Sequence, residues 1–91
     1  MARYSGFVSW FVYVLISCSQ DATYVGASID VERRLEQHNG GRPGGARRTR
    51  AGRPWSVAIV YGPFETRSEA LKVEYQVKRL RGMKRLEWSE E

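Results

Sequence analysis

Hydrophobic and polar positions divide the chain into five ordered stretches. Trp10 to Ser17 is continuously apolar, aromatic and β-branched. A run without polar alternation predicts a strand buried on both faces, and therefore central in its sheet. Ser19-Gln20-Asp21 signals a turn, and a second strand over Ala22 to Ser28 follows at hairpin distance. Gly26 inside that strand marks a bulge or the close approach of another backbone. Ser28 or Asp30 can cap a helix running to about His38, which Asn39-Gly40-Gly41 stops. Arg42 to Pro54 is rich in Gly and Arg and predicts a long loop with little power to bury itself. Loops this long in a compact domain are functional or disordered. Trp55 to Tyr61 predicts a third strand, broken by Gly62-Pro63. Thr66, with Glu69 three residues on, forms a capping box that opens a second helix to about Arg81, ended by Gly82. Met83 to Trp88 predicts one further turn, and the last acidic residues fray. The order β-β-α-β-α, without internal repeat, predicts a small α/β (α+β) fold: a three-stranded sheet with flanking helices. One domain over 1–91 is expected, with its core at about 9–81.

Composition narrows the partners. The chain has 91 residues and a net charge of +5, and its basic residues are arginine except for Lys72, Lys78 and Lys84. Arginine presents a planar fork that matches phosphate and keeps its charge when partly desolvated. A small Arg-biased basic domain points to a polyanion, nucleic acid first. Cys18 is the only cysteine, which excludes an internal disulfide and a multi-cysteine zinc site. It fits a reducing, intracellular compartment, the nucleus in a eukaryote and otherwise the cytoplasm. Arg3 ahead of the apolar run Phe7 to Ile16, with Leu15-Ile16-Ser17-Cys18, has the outline of a lipoprotein leader. The run carries Trp10 and Tyr13 and is needed as a strand, so no signal peptide is expected. No run reaches the ~18 apolar residues of a membrane span.

Periodicity then exposes candidate chemistry. Ala70, Val73, Val77 and Leu80 form the buried stripe of the second helix, and Glu74 lies in its middle. A carboxylate on an apolar face is costly unless it is paired or bound to a metal. An ion pair with one of the arginines and a ligand to a hard divalent cation are both open. On the first helix Arg34 and His38 are four apart and share a face. Arg34 can clamp a phosphate, and His38 can assist proton transfer or bind phosphate. Taken alone, His38 is equally a polar residue that suits a helix C-terminus. Tyr13 and Tyr24, near the middles of adjacent strands, are by themselves ordinary core residues.

These residues also compose a pattern. Phe11-Val12-Tyr13, then Tyr24-Val25-Gly26, then Asp30 to Asn39 with Arg33-Arg34 and His38-Asn39, and Glu74 beyond, resemble the GIY-YIG nuclease family over about residues 9 to 81. The resemblance implies an active site of Tyr13, Tyr24, Arg34, His38 and Glu74. Glu74 would bind Mg²⁺ or Mn²⁺, and no small-molecule cofactor is expected. Tyr13 would act as general base, Tyr24 would position water or phosphate, and Arg34 would stabilise the pentacovalent phosphate. His38-Asn39-Gly40-Gly41, Gly44 to Thr49 and Pro54-Trp55 are similar to the branch that cleaves flaps and four-way junctions. Eukaryotic members of that branch carry a RING-type zinc domain, whose several cysteine ligands the single Cys18 of this sequence cannot supply. A scaffold protein joins DNA as an implied partner. Arg33, Asn39, Arg42, Arg47, Arg48, Arg50 and Arg53 are the expected DNA contacts, gripping the backbone without reading bases. Two positions depart from the pattern. Phe11 replaces the first glycine, and Ala27 stands where excision-repair members have a lysine. A catalytically silent nucleic-acid-binding module and a sequence-specific homing or restriction nuclease are the alternatives. All five positions are filled, against the first, and no base-reading domain is evident, against the second.

Overall fold

A computed structural model describes residues 8–90. Arg3, Phe7 and Glu91, which figured in the N-terminal run and the acidic tail, lie outside the described residues. The elements are β1 (Trp10–Ser17), β2 (Thr23–Ser28), α1 (Val31–His38), β3 (Trp55–Phe64) and α2 (Arg67–Lys78), with short 3₁₀ turns at Arg47–Thr49 and Gly82–Leu86. This is the expected β-β-α-β-α order. The sheet runs β2-β1-β3, antiparallel throughout, so β1 is central as its unbroken apolar run required.

Alternation along β1 feeds two cores. Val12 and Val14 pack with Val25 of β2 against Ala70, Val73 and Val77 of α2. Tyr13 and Leu15 point to the other face, where they join Trp55, with Tyr24, Val31 and Leu35 packed against them. The helices thus sandwich the sheet. Asp30 caps α1 by accepting from the Arg33 amide at 3.0 Å. Thr66 and Glu69 make the predicted capping box, in which the Glu69 amide donates to Thr66 Oγ1 at 3.1 Å and the Thr66 amide to Glu69 Oε1 at 3.3 Å.

The structure corrects the sequence reading in four places. β3 continues through Gly62-Pro63 instead of stopping at Tyr61. It is an edge strand, where proline's missing N–H breaks no ladder bond, and a register shift between Trp10 and Val12 absorbs the irregularity. α2 ends at Lys78, so Leu80 lies beyond it, half-buried. What approaches Gly26 is a side chain, not a backbone: a Cβ there would sit 2.4 Å from the Tyr13 hydroxyl oxygen. Finally, the Arg-rich loop is tied down. Ser17 Oγ donates to Gly52 O at 2.7 Å, Ser19 Oγ to Arg53 O at 2.9 Å and Gln20 Nε2 to Ala51 O at 3.0 Å. The Trp55 indole N–H donates to Thr49 O at 2.7 Å. Thr49 and Gly52 are buried in consequence.

Asn39 closes this arrangement. Its Oδ1 accepts from the Trp55 amide at 2.6 Å and its Nδ2 donates to Trp55 O at 2.9 Å, joining the end of α1 to the start of β3. The DNA contact expected of Asn39 gives way to a clamp between two backbone groups. Asn39→Ala removes both bonds and is expected to destabilise the domain by about 2 kcal/mol in urea denaturation. A loss below about 0.5 kcal/mol, the range of a neutral surface change, would mean that the clamp is dispensable.

Candidate active site

The site forms where β1, β2 and α1 meet. Tyr13 comes from the centre of β1, lies over Gly26 of β2, and is 1% exposed. Its hydroxyl lies 3.0 Å from His38 Nε2, at the last residue of α1. The Tyr24 ring packs on the same imidazole, with centroids 4.7 Å apart. The sequence alone admits His38 as a helix-end residue or as a site member. It is fully buried, at 0% exposure, with both ring nitrogens engaged, so it is closed to direct phosphate contact.

Hydrogen-bond satisfaction assigns the protons. Thr49 Oγ1 lies 2.6 Å from Ala46 O, which can only accept, so the threonine hydroxyl donates there. Thr49 Oγ1 then accepts from His38 Nδ1 at 3.2 Å. With its proton on Nδ1, the neutral ring has a bare Nε2, which accepts from the Tyr13 hydroxyl. The chain runs Tyr13 to His38 to Thr49 to Ala46 O in one direction.

The charges agree with this assignment. Burial, with the nearby cations Arg34 and Arg53, lowers His38 from the usual 6.5 to about 4, so the ring is neutral at pH 7. Burial also raises the Tyr13 phenol above its usual range. The Arg34 guanidinium opposes that rise, while Tyr24 and Glu74 add to it. Four of the expected members, Tyr13, Tyr24, Arg34 and His38, are therefore adjacent, and the Glu74 carboxylate acts on the same phenol. Arg34 donates from Nη1 to Gln37 Oε1 and, at 3.1 Å, to Gly44 O, fixing it beside the loop.

Glu74 is half-buried on α2, with its side chain 17% exposed, and Lys78 Nζ lies 3.2 Å from its Oε2. The partner is thus a lysine of its own helix and not an arginine. Among the described residues no group of three or more His, Cys, Asp or Glu side chains gathers. Of the other expected DNA contacts, Arg33, Arg47, Arg48 and Arg50 are exposed. Arg42 is exposed and pairs with Glu36. Arg53 donates from Nε to His38 O at 2.7 Å and lines a cavity of about 440 Å³ with Arg42 and Arg50. Thr49 and Gln37, which bond to His38 and Arg34, are neighbours of the site that sequence reasoning missed. Their only advance signal was Thr49 standing as the one hydroxyl in the Arg-rich loop.

The depressed His38 pKa has a consequence for stability. The folded value, about 4, lies below the unfolded one, so unfolded chains bind the extra proton between them. The contribution is fully present above pH ~6.5 and is lost as the pH falls toward 4. Denaturation measured across that range should show a decline on the order of 2 to 3 kcal/mol that His38→Gln flattens. An unchanged slope in His38→Gln would mean the ring is not the group responsible.

Comparison with known proteins identifies the family. Residues 9–87 match the family model of the GIY-YIG catalytic domain. The structure-specific endonuclease subunit slx1 of Schizosaccharomyces pombe is 50% identical over 58 residues, which are 63% of this chain and 21% of that protein. A UPF0213 protein of Bacillus velezensis is 41% identical over 83 residues, covering 91% of this chain and 80% of its own length. A UPF0213 protein of Staphylococcus aureus is 44% identical over 79 residues, covering 86% and 90%. The chain therefore spans about a fifth of the Schizosaccharomyces pombe subunit and most of the other two. With a family match across nearly its whole length, this chain belongs to the family of GIY-YIG catalytic domains.

Proposed function

We propose that the chain is a metal-dependent endonuclease that hydrolyses phosphodiester bonds in DNA, with flaps and junctions as its substrates. The observation that carries this reading is the meeting, at one buried phenol, of groups from three elements: Tyr13 of β1, Tyr24 of β2, and Arg34 and His38 of α1. Branched substrates follow from the likeness to the Schizosaccharomyces pombe protein, whose name is that of a structure-specific endonuclease subunit. That name also makes a protein partner part of the proposal. Among the described residues no helix is long and apolar enough to cross a membrane. The free, exposed Cys18 suits a reducing, intracellular setting.

Glu74 would hold Mg²⁺ or Mn²⁺. A single half-buried carboxylate, completed by waters and substrate phosphate, is a donor set that suits Mg²⁺, and Lys78 already places a cation upon it. When bound, the ion would neutralise charge on the scissile phosphate and the leaving 3′ oxygen. The protein's own groups handle the proton. Because the Tyr13 proton is directed to His38 Nε2, the phenol oxygen keeps lone pairs for the attacking water. As water gives its proton to that oxygen, the phenolic proton passes to Nε2. A phosphate anion near His38 and a cation near Tyr13 shift both groups in the direction this transfer needs. Arg34 takes up the charge growing on phosphorus oxygens. Tyr24, whose ring packs at a tilt against the imidazole, orients water or phosphate.

Labelled flap, junction and linear duplex DNA should be cut with Mg²⁺ or Mn²⁺, branched forms first. EDTA or Glu74→Ala should slow cutting by about a hundredfold or more, as expected for several kcal/mol of charge stabilisation. A wild type that binds but never cuts with either metal is a silent binding module, and undiminished cutting by Glu74→Ala removes that residue from the metal site.

Thr49 tests the proton chain separately, as a positioning residue. Thr49→Val leaves Nδ1–H unpaired and favours the other tautomer, which cannot accept from Tyr13. We expect kcat to fall about tenfold with KM little changed, the His38 nitrogen NMR shifts to report the new tautomer, and Thr49→Ser to restore both. Unaltered nitrogen shifts in Thr49→Val would break the chain at its second link.

A further inference from the structure

Beside Tyr24 lies another cavity, of about 320 Å³, separate in its lining from the one around Arg42 and Arg50. Its walls include Thr23 and Tyr24 of β2, Ala46 and Arg48 of the loop, Lys78 at the end of α2, and Arg85 of the following 3₁₀ turn. Three cations line it and no acid does. Glu74 offsets Lys78, but among the described residues neither Arg48 nor Arg85 forms an ion pair.

Arg85 is built in rather than draped over the surface. Its Nε donates to Leu80 O at 2.8 Å, Nη1 to Thr23 Oγ1 at 3.0 Å and Nη2 to Lys78 O at 3.0 Å. A guanidinium has five N–H donors, so three bonds hold its plane fixed and leave two unspent. Thr23 Oγ1 accepts from Arg85, which frees the threonine proton to donate elsewhere. Burial and the facing charges of Arg48 and Arg81 all work against the Arg85 charge. Crowded, fixed cations with spare donors are stabilised when an anion enters among them.

We propose that this cavity is a second phosphate subsite, in which Arg48, Arg85 and the Thr23 hydroxyl hold a backbone phosphodiester adjoining the scissile one on the strand that passes Tyr24. The assignment deepens the reading of the chain as a DNA-cleaving enzyme and rests on DNA being its ligand. Tyr24 lines the subsite while its ring packs at a tilt against His38, and Ala46, whose carbonyl ends the proton chain, lines it too. Filling the subsite therefore bears on the placement of the catalytic groups. Two gripped phosphates fix the strand's direction across Tyr13 where one would leave it free to rotate, and that restriction is what positioning contributes to rate. Contacts of this kind carry no base identity.

The test is equilibrium binding of the full chain to a flap substrate in EDTA over a range of salt, for wild type, Arg48→Gln, Arg85→Gln and Lys72→Gln. Lys72, exposed on α2 and outside the cavity lining, controls for the loss of one charge. Arg48→Gln should weaken binding several-fold and reduce the slope of log K against log salt by about one, while Lys72→Gln leaves the slope in place. Arg85→Gln should match Arg48→Gln; should it fail to fold for want of its three bonds, Arg48→Gln carries the test alone. An unchanged slope in Arg48→Gln, or an equal loss in Lys72→Gln, overturns the subsite. A terminal 5′-phosphate offers the same chemistry, so each flap is compared with and without one. A penalty that vanishes without the terminal phosphate means that the pocket reads an end, and the backbone assignment falls. Wild-type protein that cuts nothing with either metal, yet keeps these binding differences, sinks the nuclease reading and leaves the subsite standing.

Discussion

Most of the site hangs on one buried imidazole. An uncharged His38 can sit in the interior because both ring nitrogens are bonded, to Tyr13 on one side and Thr49 on the other. Each partner is itself fixed. Tyr13 needs the bare backbone of Gly26 beneath its ring. Thr49 needs the loop to turn inward, and the Trp55 indole holds the Thr49 carbonyl in place while Asn39 holds Trp55. Glycine is required twice more along this path, since a Cβ at Gly45 would meet Gln37 O at 2.2 Å and one at Gly52 would meet the Trp55 ring at 2.2 Å. The loop thus folds inward because its glycines allow close approach, while Arg42, Arg47, Arg48 and Arg50 stay at the surface and Arg53 turns in toward His38.

Charge is distributed against neutralisation. Arg34 and Arg53 both depress His38, and Arg48 and Arg81 both act on Arg85. The two ion pairs among the described residues, Arg42–Glu36 and Lys78–Glu74, leave most of the loop's arginines without an acid. Such self-repulsion destabilises a free protein and favours a bound polyanion. Burial first, and then the cations Arg34 and Arg53, keep His38 neutral, so in the proposed reaction the charges that face phosphate also help hold the proton acceptor in its unprotonated form.

Much of this was legible in the sequence, and the rest was not for definable reasons. β1 announced itself by an unbroken apolar run, α2 by its capping box, and Glu74 by its place on an apolar stripe. Those are local signals, carried by a few adjacent residues. The passage of β3 through Pro63 was hidden because it depends on the strand lying at the sheet's edge, a property of topology. Asn39 looked like a helix stop beside a basic loop; its two bonds to Trp55 span sixteen positions and leave no periodicity. Thr49 and Arg85 were invisible for the same reason, since their partners, His38 and Thr23, are distant in sequence.

The two tyrosines are the hardest case, because composition and spacing treat them alike. The structure separates them by what lies beyond each hydroxyl. Tyr13 is buried, and its proton has a designated acceptor whose own proton is in turn committed to Thr49. Tyr24 is only half-buried, and its ring, not its hydroxyl, meets the imidazole. A general base must be able to pass on what it receives, and a raised pKa alone does not supply that route. In the proposed reaction the proton-handling role therefore falls to Tyr13. Tyr24, whose ring packs against the imidazole and lines the cationic cavity, is the residue through which gripping the strand and placing the base would be coupled.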